Sequence, residues 1–147
     1  MKISGRFSVA IHILTLLKLT RQEVPTSSYI AESVKTNPVV IRRILAMLKK
    51  AGLVEVKRGS GGAFLQKSSH EITLLDIYKA VCTDKDGDLF KKQSDPNYDC
   101  PVGAHIQSVV KPAMSAAQDA LDFELKKVTI TDISKQILKE IRKEVKI

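Results

Sequence analysis

Two short amphipathic segments separated by a break, with a basic, glycine-rich turn soon after the second, limit the folds that this chain can adopt. Residues 28–34 and 38–51 place apolar side chains at spacings of three and four, as an α-helix requires. Asn37 can cap the second helix, and Pro38 suits its first turn, where an N–H would be unpaired anyway. Two helices joined this tightly predict a helix-turn-helix.

The segment after the second helix predicts a β-hairpin. Strand-like runs occupy residues 53–56 and 63–65, and the sequence between them is Lys-Arg-Gly-Ser-Gly-Gly. A hairpin directly behind a helix-turn-helix makes a winged helix-turn-helix. The expected fold is therefore mainly α with a small β wing.

Four further helices are expected outside this motif. The first covers residues 8–19, and another starts after Thr73. A long one runs from Pro101 to about Leu125, and Thr131 is expected to cap the last. Residues 84–99 are polar and predict a loop. In the helix after Pro38, the residues expected to point inward are Val40, Ile44, Leu45 and Leu48.

Charge is distributed unevenly along the chain. Residues 1–67 hold twelve Lys or Arg and three Asp or Glu, a net charge of +9, whereas residues 68–147 hold twelve and thirteen, a net charge of −1. A basic module joined to a nearly neutral one is typical of a polyanion-binding domain with an assembly region. The expected organisation is a DNA-binding domain over residues 1–67 and a helical dimerisation and sensing region over residues 68–147.

Basic and polar side chains lie where a winged helix meets duplex DNA. Arginine can bond guanine bidentately, lysine can neutralise phosphate, and glycine lets backbone approach the DNA closely. The alternative is that these side chains are merely solvated surface. The residues predicted to contact DNA are Ser28, Tyr29, Asn37, Val39, Arg42, Arg43, Lys49, Lys57, Arg58 and Gly61.

The long helix carries an apolar stripe at steps of three and four residues. Ile106, Val110, Ala117 and Leu121 belong to it, and such a narrow stripe is typical of a seam between two helices. The alternative is that the stripe packs on its own domain. A homodimer would suit a pseudo-palindromic operator, because one winged helix usually needs a second half-site for useful affinity.

The sequence resembles the Rrf2 family of bacterial transcriptional regulators over nearly its whole length. The resemblance is most specific from Ala51 through Arg58-Gly59-Ser60-Gly61-Gly62 to Ile72-Thr73-Leu74, and Asp99-Cys100-Pro101-Val102-Gly103 is similar to one subgroup. Other matching segments are residues 1–4, 6–7, 28–32, 37–45 and 72–78. The resemblance implies a dimeric cytoplasmic repressor, often one that senses iron–sulfur status, nitric oxide, oxidants or cysteine metabolism.

The cysteines depart from the cluster-binding members of that family, which place three in the loop before the long helix. This loop has Cys100 alone, and Cys82 lies earlier in an apolar stretch that indicates core packing. No iron–sulfur cluster or other metal is therefore expected. Cys100 precedes Pro101 at the expected start of a helix, where free N–H groups stabilise a thiolate. It is either an oxidant-sensing thiol or a structural residue.

Other classes of protein fit less well. The sequence contains no nucleophile–base pair, paired-carboxylate site or phosphate-binding loop, so no enzymatic activity is expected. No apolar run reaches the roughly 18 residues of a membrane span. No signal peptide is recognisable, so a cytoplasmic location is expected. The remaining rival is a winged helix that has lost DNA binding and docks a protein, against which the basic wing argues.

Overall fold

The computed structural model of the chain describes residues 3–20, 24–59, 62–82 and 95–145. Within these residues there are six helices and a two-stranded antiparallel sheet, and most of the buried apolar core comes from the first four helices and the segments between them. No helix among them is long and apolar enough to cross a membrane. The elements are α1 (Ile3–Leu19), α2 (Ser27–Val34), α3 (Pro38–Lys50), β1 (Val54–Val56), β2 (Ala63–Leu65), α4 (Leu74–Val81), α5 (Pro101–Lys126) and α6 (Ile130–Val145).

Local capping fixes the turn between α2 and α3. The Thr26 hydroxyl caps α2 by accepting a hydrogen bond from the backbone N–H of Tyr29 at 3.1 Å. Lys35 then ends α2 in the left-handed conformation, with φ of 60°. Asn37 caps α3 through its Oδ1, which accepts from the N–H of Val39 at 2.8 Å, and Pro38 fills the first turn. The predicted break between the two helices is thus confirmed.

The core is built around α1, which begins at Ile3 and not at Ser8 as predicted. Its side chains Ile13 and Leu14 are fully buried, and the ring of Phe7 packs edge-on against Tyr78 of α4 with centroids 5.7 Å apart. On α3 the buried residues are Ile41, Ile44, Leu45 and Leu48, whereas Val40, predicted to point inward, is only partly buried. One side of α3 is thus buried, and its other side faces solvent.

The wing is anchored at its base. Strands β1 and β2 pair with Glu55 opposite Phe64, and the N–H of Ala63 donates to the Pro25 carbonyl at 3.1 Å. A Cβ at Gly62 would lie 2.7 Å from Cγ1 of Val24 and 3.2 Å from its carbonyl oxygen, so any larger residue would force a shift where the wing crosses the segment before α2. This contact fixes the base of the wing against the helix-turn-helix.

A second junction ties the wing region to the C-terminal helices. Thr73 forms a β-bridge with Thr129, and the N–H of Leu74 donates to the Val128 carbonyl at 2.9 Å. The predicted cap of α6 is wrong: Thr129 and Asp132 cap each other's backbone N–H groups, at 3.2 and 2.9 Å. The Thr131 hydroxyl instead bonds Ser69 Oγ at 2.7 Å.

Helix α5 contacts the core only near its C-terminal end. Leu121 and Leu125 pack against buried residues, but none of the 26 residues of α5 is itself buried. In contrast, α4 and the first turn of α6, with Ile130 fully buried, share the core of the N-terminal helices. The division at residues 67 and 68 remains a prediction.

Candidate nucleic-acid interface

The outward side of α3 presents a mixed basic and apolar surface. Val39, Arg42 and Arg43 are all exposed, at spacings of three and four that place them on one side of the helix. The opposite side is held in the core by Ile44 and Leu48. An α-helix with one free side fits the roughly 12 Å wide major groove of B-DNA. Arg42 and Arg43 therefore lie on the side of α3 that is open to a ligand, and their contact with base edges remains a prediction.

The start of α2 lies on the surface. Ser28 is exposed, and Tyr29 is 50% exposed. Hydroxyl side chains and helix N-termini commonly contact phosphate oxygens. Both residues can thus position the protein on the DNA backbone.

Asn37 has a structural role in addition to its predicted contact with DNA. Its Oδ1 is occupied by the capping hydrogen bond to Val39, and the residue is exposed. The side-chain NH₂ group is the part that can donate to DNA. Replacing Asn37 would therefore remove the cap of α3, so a change in DNA affinity could not be assigned to a lost base contact.

Lys49 is exposed on the same helix but is not a free cation. Its Nζ lies 3.2 Å from Oε1 of Glu55, across the gap between α3 and β1. The Lys49 side chain, followed by the N–H of Val56, lowers the pKa of the Glu55 carboxyl. Sequence analysis missed this pair, because the partners come from different elements.

The wing carries Lys57 and Arg58, both exposed, at the end of β1. The N–H of Lys57 donates to the Gly62 carbonyl at 2.6 Å, which closes the hairpin. Gly59 has φ of 91°, a conformation that favours glycine, so the tip turns sharply there. Gly61, also predicted to contact DNA, lies outside the described residues.

Three further exposed residues were not predicted. Ala46 lies on α3 between Arg42 and Lys49, Lys50 ends the helix, and Phe64 of β2 is 46% exposed. Strand alternation could have indicated Phe64, because its neighbours Ala63 and Leu65 turn inward. These residues extend the candidate surface from α3 to the outer face of the wing.

Cys100 occupies the N-cap position of α5 and is exposed. Its side chain completes no capping hydrogen bond, yet the backbone N–H groups of Gly103 and Val102 lower the pKa of its thiol. The backbone at Asn97 passes so close to the first turn of α5 that a Cβ at Gly103 would overlap the Asn97 carbonyl. Cys82 is buried, and burial raises the pKa of its thiol, although Arg6 partly opposes that effect.

The apolar stripe of α5 is divided between two environments. Ile106 and Ala117 are exposed and Val110 is half-buried, whereas Leu121 packs against the core of its own chain. Val102 and Val109 add exposed apolar surface, at 68% and 70%. Among the described residues, the N-terminal part of the stripe therefore does not pack against the buried core, whereas Leu121 does.

Comparison with known proteins agrees with this geometry. Residues 3–136 match the Rrf2 family, described as iron-dependent transcriptional regulators. The chain is 40% identical over 131 residues to YwnA of Bacillus subtilis (strain 168), classed as an HTH-type transcriptional regulator, and the match covers 89% of this chain and 96% of YwnA.

Solved structures share the fold. A crystal structure described as a DNA-binding protein is 37% identical, with a TM-score of 0.69, and the match covers 87% of this chain and 97% of that one. CymR, the global cysteine regulator of B. subtilis, is 22% identical, with a TM-score of 0.64 over 92% of this chain and 97% of its own. The predicted winged-helix fold, mainly α with a small β wing, is confirmed.

Because the matching family is described as iron-dependent, the possible iron ligands of this chain decide whether it could hold an iron–sulfur cluster. The whole sequence contains two cysteines, and iron–sulfur clusters are usually held by four cysteine thiolates, with histidine replacing some of them in certain proteins. Cys82 is buried and Cys100 exposed, and no three His, Cys, Asp or Glu residues cluster in the described part of the chain. These residues do not fit such a cluster.

Proposed function

The chain belongs to the Rrf2 family of transcriptional regulators, and on that premise we propose that it is a homodimeric repressor that binds a pseudo-palindromic operator in the cytoplasm. The observation that carries the proposal is the exposed side of α3, where Arg42 and Arg43 stand beside the basic wing. No enzymatic role is part of the proposal, because the curated relatives are classed as transcriptional regulators.

Each part of the surface has its own task on the DNA. The side of α3 that bears Val39, Arg42 and Arg43 reads base edges, where arginine discriminates guanine by two parallel hydrogen bonds. Lys57 and Arg58 of the wing contact phosphates, which fixes orientation without reading sequence. The anchoring of the wing at Gly62 and Ala63 sets the distance between these two sets of contacts.

Salt dependence tests DNA binding directly. The affinity for a labelled duplex is expected to fall with salt on a log–log slope of about −0.9 for each phosphate neutralised, because bound cations release counterions. Fluorescence anisotropy between low and high potassium chloride measures that slope. Absence of any salt-dependent binding to duplex DNA would favour the rival function, a winged helix that docks a protein.

The unpartnered part of α5 supports the homodimer. A helix of 26 residues that buries none of them is poorly stabilised alone, because most helical stability in proteins comes from packing an apolar face. A second copy presenting the same stripe would bury Ile106, Val110 and Ala117 against their equivalents. Two DNA-binding heads could then meet half-sites one helical turn apart, about 34–36 Å.

We further propose that Cys100 regulates this repressor as an oxidant-sensitive thiol. The thiolate is the nucleophile, and the N–H groups at the start of α5 favour it. Its sulfur attacks one oxygen of hydrogen peroxide, the O–O bond breaks, and hydroxide leaves, so that sulfur is oxidised to a sulfenic acid and peroxide is reduced. The added oxygen would lie at the first turn of the dimerisation helix, beside Asn97 and Gly103.

A matched pair of cysteine variants tests this regulation. Wild type is expected to release operator DNA during a peroxide titration and to rebind it after thiol reductant is added, whereas Cys100→Ser stays bound. Cys82→Ala should respond like wild type, because Cys82 is buried and its thiol pKa is raised. Anisotropy of labelled operator follows release. Equal behaviour of wild type and Cys100→Ser at every dose would make Cys100 a structural residue.

A further inference from the structure

We propose that Glu55 limits the affinity of this protein for DNA by neutralising Lys49 on the DNA-binding surface. The inference rests on the proposed DNA-binding function and adds a residue that weakens it. It concerns binding to any duplex, because the cation that Glu55 occupies would otherwise contact a phosphate and read no base.

The position of Lys49 carries the first step. Lys49 follows Arg42 by seven residues, which is two helical turns, so both side chains leave α3 on nearly the same side. Its side chain is 52% exposed, yet its Nζ lies 3.2 Å from Oε1 of Glu55. The cation therefore stands at the proposed interface with a carboxylate already beside it.

The position of Glu55 carries the second step. Its Oε1 also accepts a hydrogen bond from the N–H of Val56 at 3.2 Å, so strand β1 directs the carboxylate toward α3. Opposite it on β2 lies Phe64, an exposed apolar side chain that offers no competing charge. The carboxylate is held over the outer face of the wing, between the wing and the exposed side of α3.

The surrounding charge makes this acid unusual. Between residues 37 and 66 the sequence has six Lys or Arg and one acidic residue, Glu55. An exposed ion pair stabilises a fold only weakly, because solvent screens it and two long side chains lose freedom. Loss of one phosphate-binding cation, in contrast, lowers affinity for every duplex. The larger effect of Glu55 is therefore on binding.

The size of that effect follows from counterion release. One additional phosphate contact steepens the log–log salt slope by about 0.9, which is about three- to tenfold in affinity near 0.1 M salt and fades toward 1 M. Because a phosphate contact reads no base, the change applies equally to the operator and to other duplexes, and the discrimination made by the arginines of α3 stays the same. Glu55 thus reduces occupancy of all duplex DNA at a given protein concentration.

The experiment uses the full chain and a labelled random-sequence duplex, with affinity measured across a potassium chloride titration. Glu55→Gln is expected to raise affinity about three- to tenfold at 0.1 M salt and to steepen the slope by about one. Glu55→Gln combined with Lys49→Gln should return both values to those of wild type. Glutamine keeps an acceptor for Val56, and thermal unfolding checks that each variant is folded.

Glu124→Gln is the matched control. It removes the same charge from another exposed ion pair, in which Oε1 of Glu124 on α5 lies 2.9 Å from Nζ of Lys127, and neither residue belongs to the candidate interface. An equal rise in this variant would overturn the proposal in favour of net charge, and an unchanged Glu55→Gln would overturn it outright. A rise that persists in the double variant would overturn the role of Lys49. If wild type binds no duplex at all, the proposed function fails instead.

Discussion

Replacing Arg42 and Arg43 by alanine is expected to weaken operator binding by roughly 1–3 kcal/mol for each arginine that bonds a guanine in two places, or about 5- to 150-fold. Both guanidinium groups stand on the free side of α3, and nothing on that side of the helix is needed to hold it in the core. The loss should therefore appear in DNA affinity and not in the free energy of unfolding.

The measurement needs an operator, which selection from a random pool of duplexes supplies. Each single variant and the double variant are then titrated against the operator and against a scrambled duplex of equal length. If the arginines read bases, their alanine variants should lose much more affinity for the operator than for the scrambled duplex. A double variant that binds its operator as wild type does would show that α3 is not the recognition helix.

The wing provides the contrasting control. Lys57→Ala or Arg58→Ala should weaken operator and scrambled duplex about equally and reduce the salt slope by about one. Lys49→Ala is a poor control, since its cation is already paired with Glu55. The two patterns, one specific and one uniform, separate base reading from phosphate binding in the same assay.

Val110→Asp is expected to convert the proposed homodimer to monomer. Val110 is half-buried in the single chain and is not among the side chains that pack against its core, so the new carboxylate would become fully buried only in the proposed dimer. An unpaired buried charge costs several kcal/mol, which corresponds to a rise of about 100-fold or more in the dimer dissociation constant. Light scattering at micromolar concentration would report the change in mass.

Two comparisons make this result specific. Ser108→Asp adds the same charge two residues earlier, on the opposite side of α5, and should leave the dimer intact. Leu121 is less suitable than Val110, because it packs against its own core and a charge there would also destabilise the fold. A wild type that is already monomeric at micromolar concentration would contradict the homodimer itself.

The local features of the fold could be predicted where a few adjacent residues determine them. Asn37 and Pro38 specify the start of α3 by their own chemistry, and Thr73 caps α4 as expected. The early start of α1 could not be predicted in this way. Its first turns are held by contacts such as Phe7 with Tyr78, residues separated by most of the N-terminal half of the chain.

The errors have physical causes. Thr129 and Thr131 both suit a helix cap, and only Asp132, three residues after Thr129, distinguishes them, because it can return the hydrogen bond. The periodicity of α5 gave a continuous stripe but could not show that Leu121 meets its own core and Ile106 does not. Likewise, the pairing of Lys49 with Glu55 depends on how β1 lies against α3.

The bridge between Thr73 and Thr129 holds the C-terminal end of α5, so the helix can pivot about that end. The helix is fastened to the DNA-binding core through that bridge, and its 26 residues, at 1.5 Å per residue, span at most about 39 Å to the end beside Cys100. A pivot of about 5° at the bridge would carry the far tip sideways by about 3 Å over that length. In a dimer whose two α5 helices pack side by side, a small change in the angle of each helix would alter the distance between the two recognition helices.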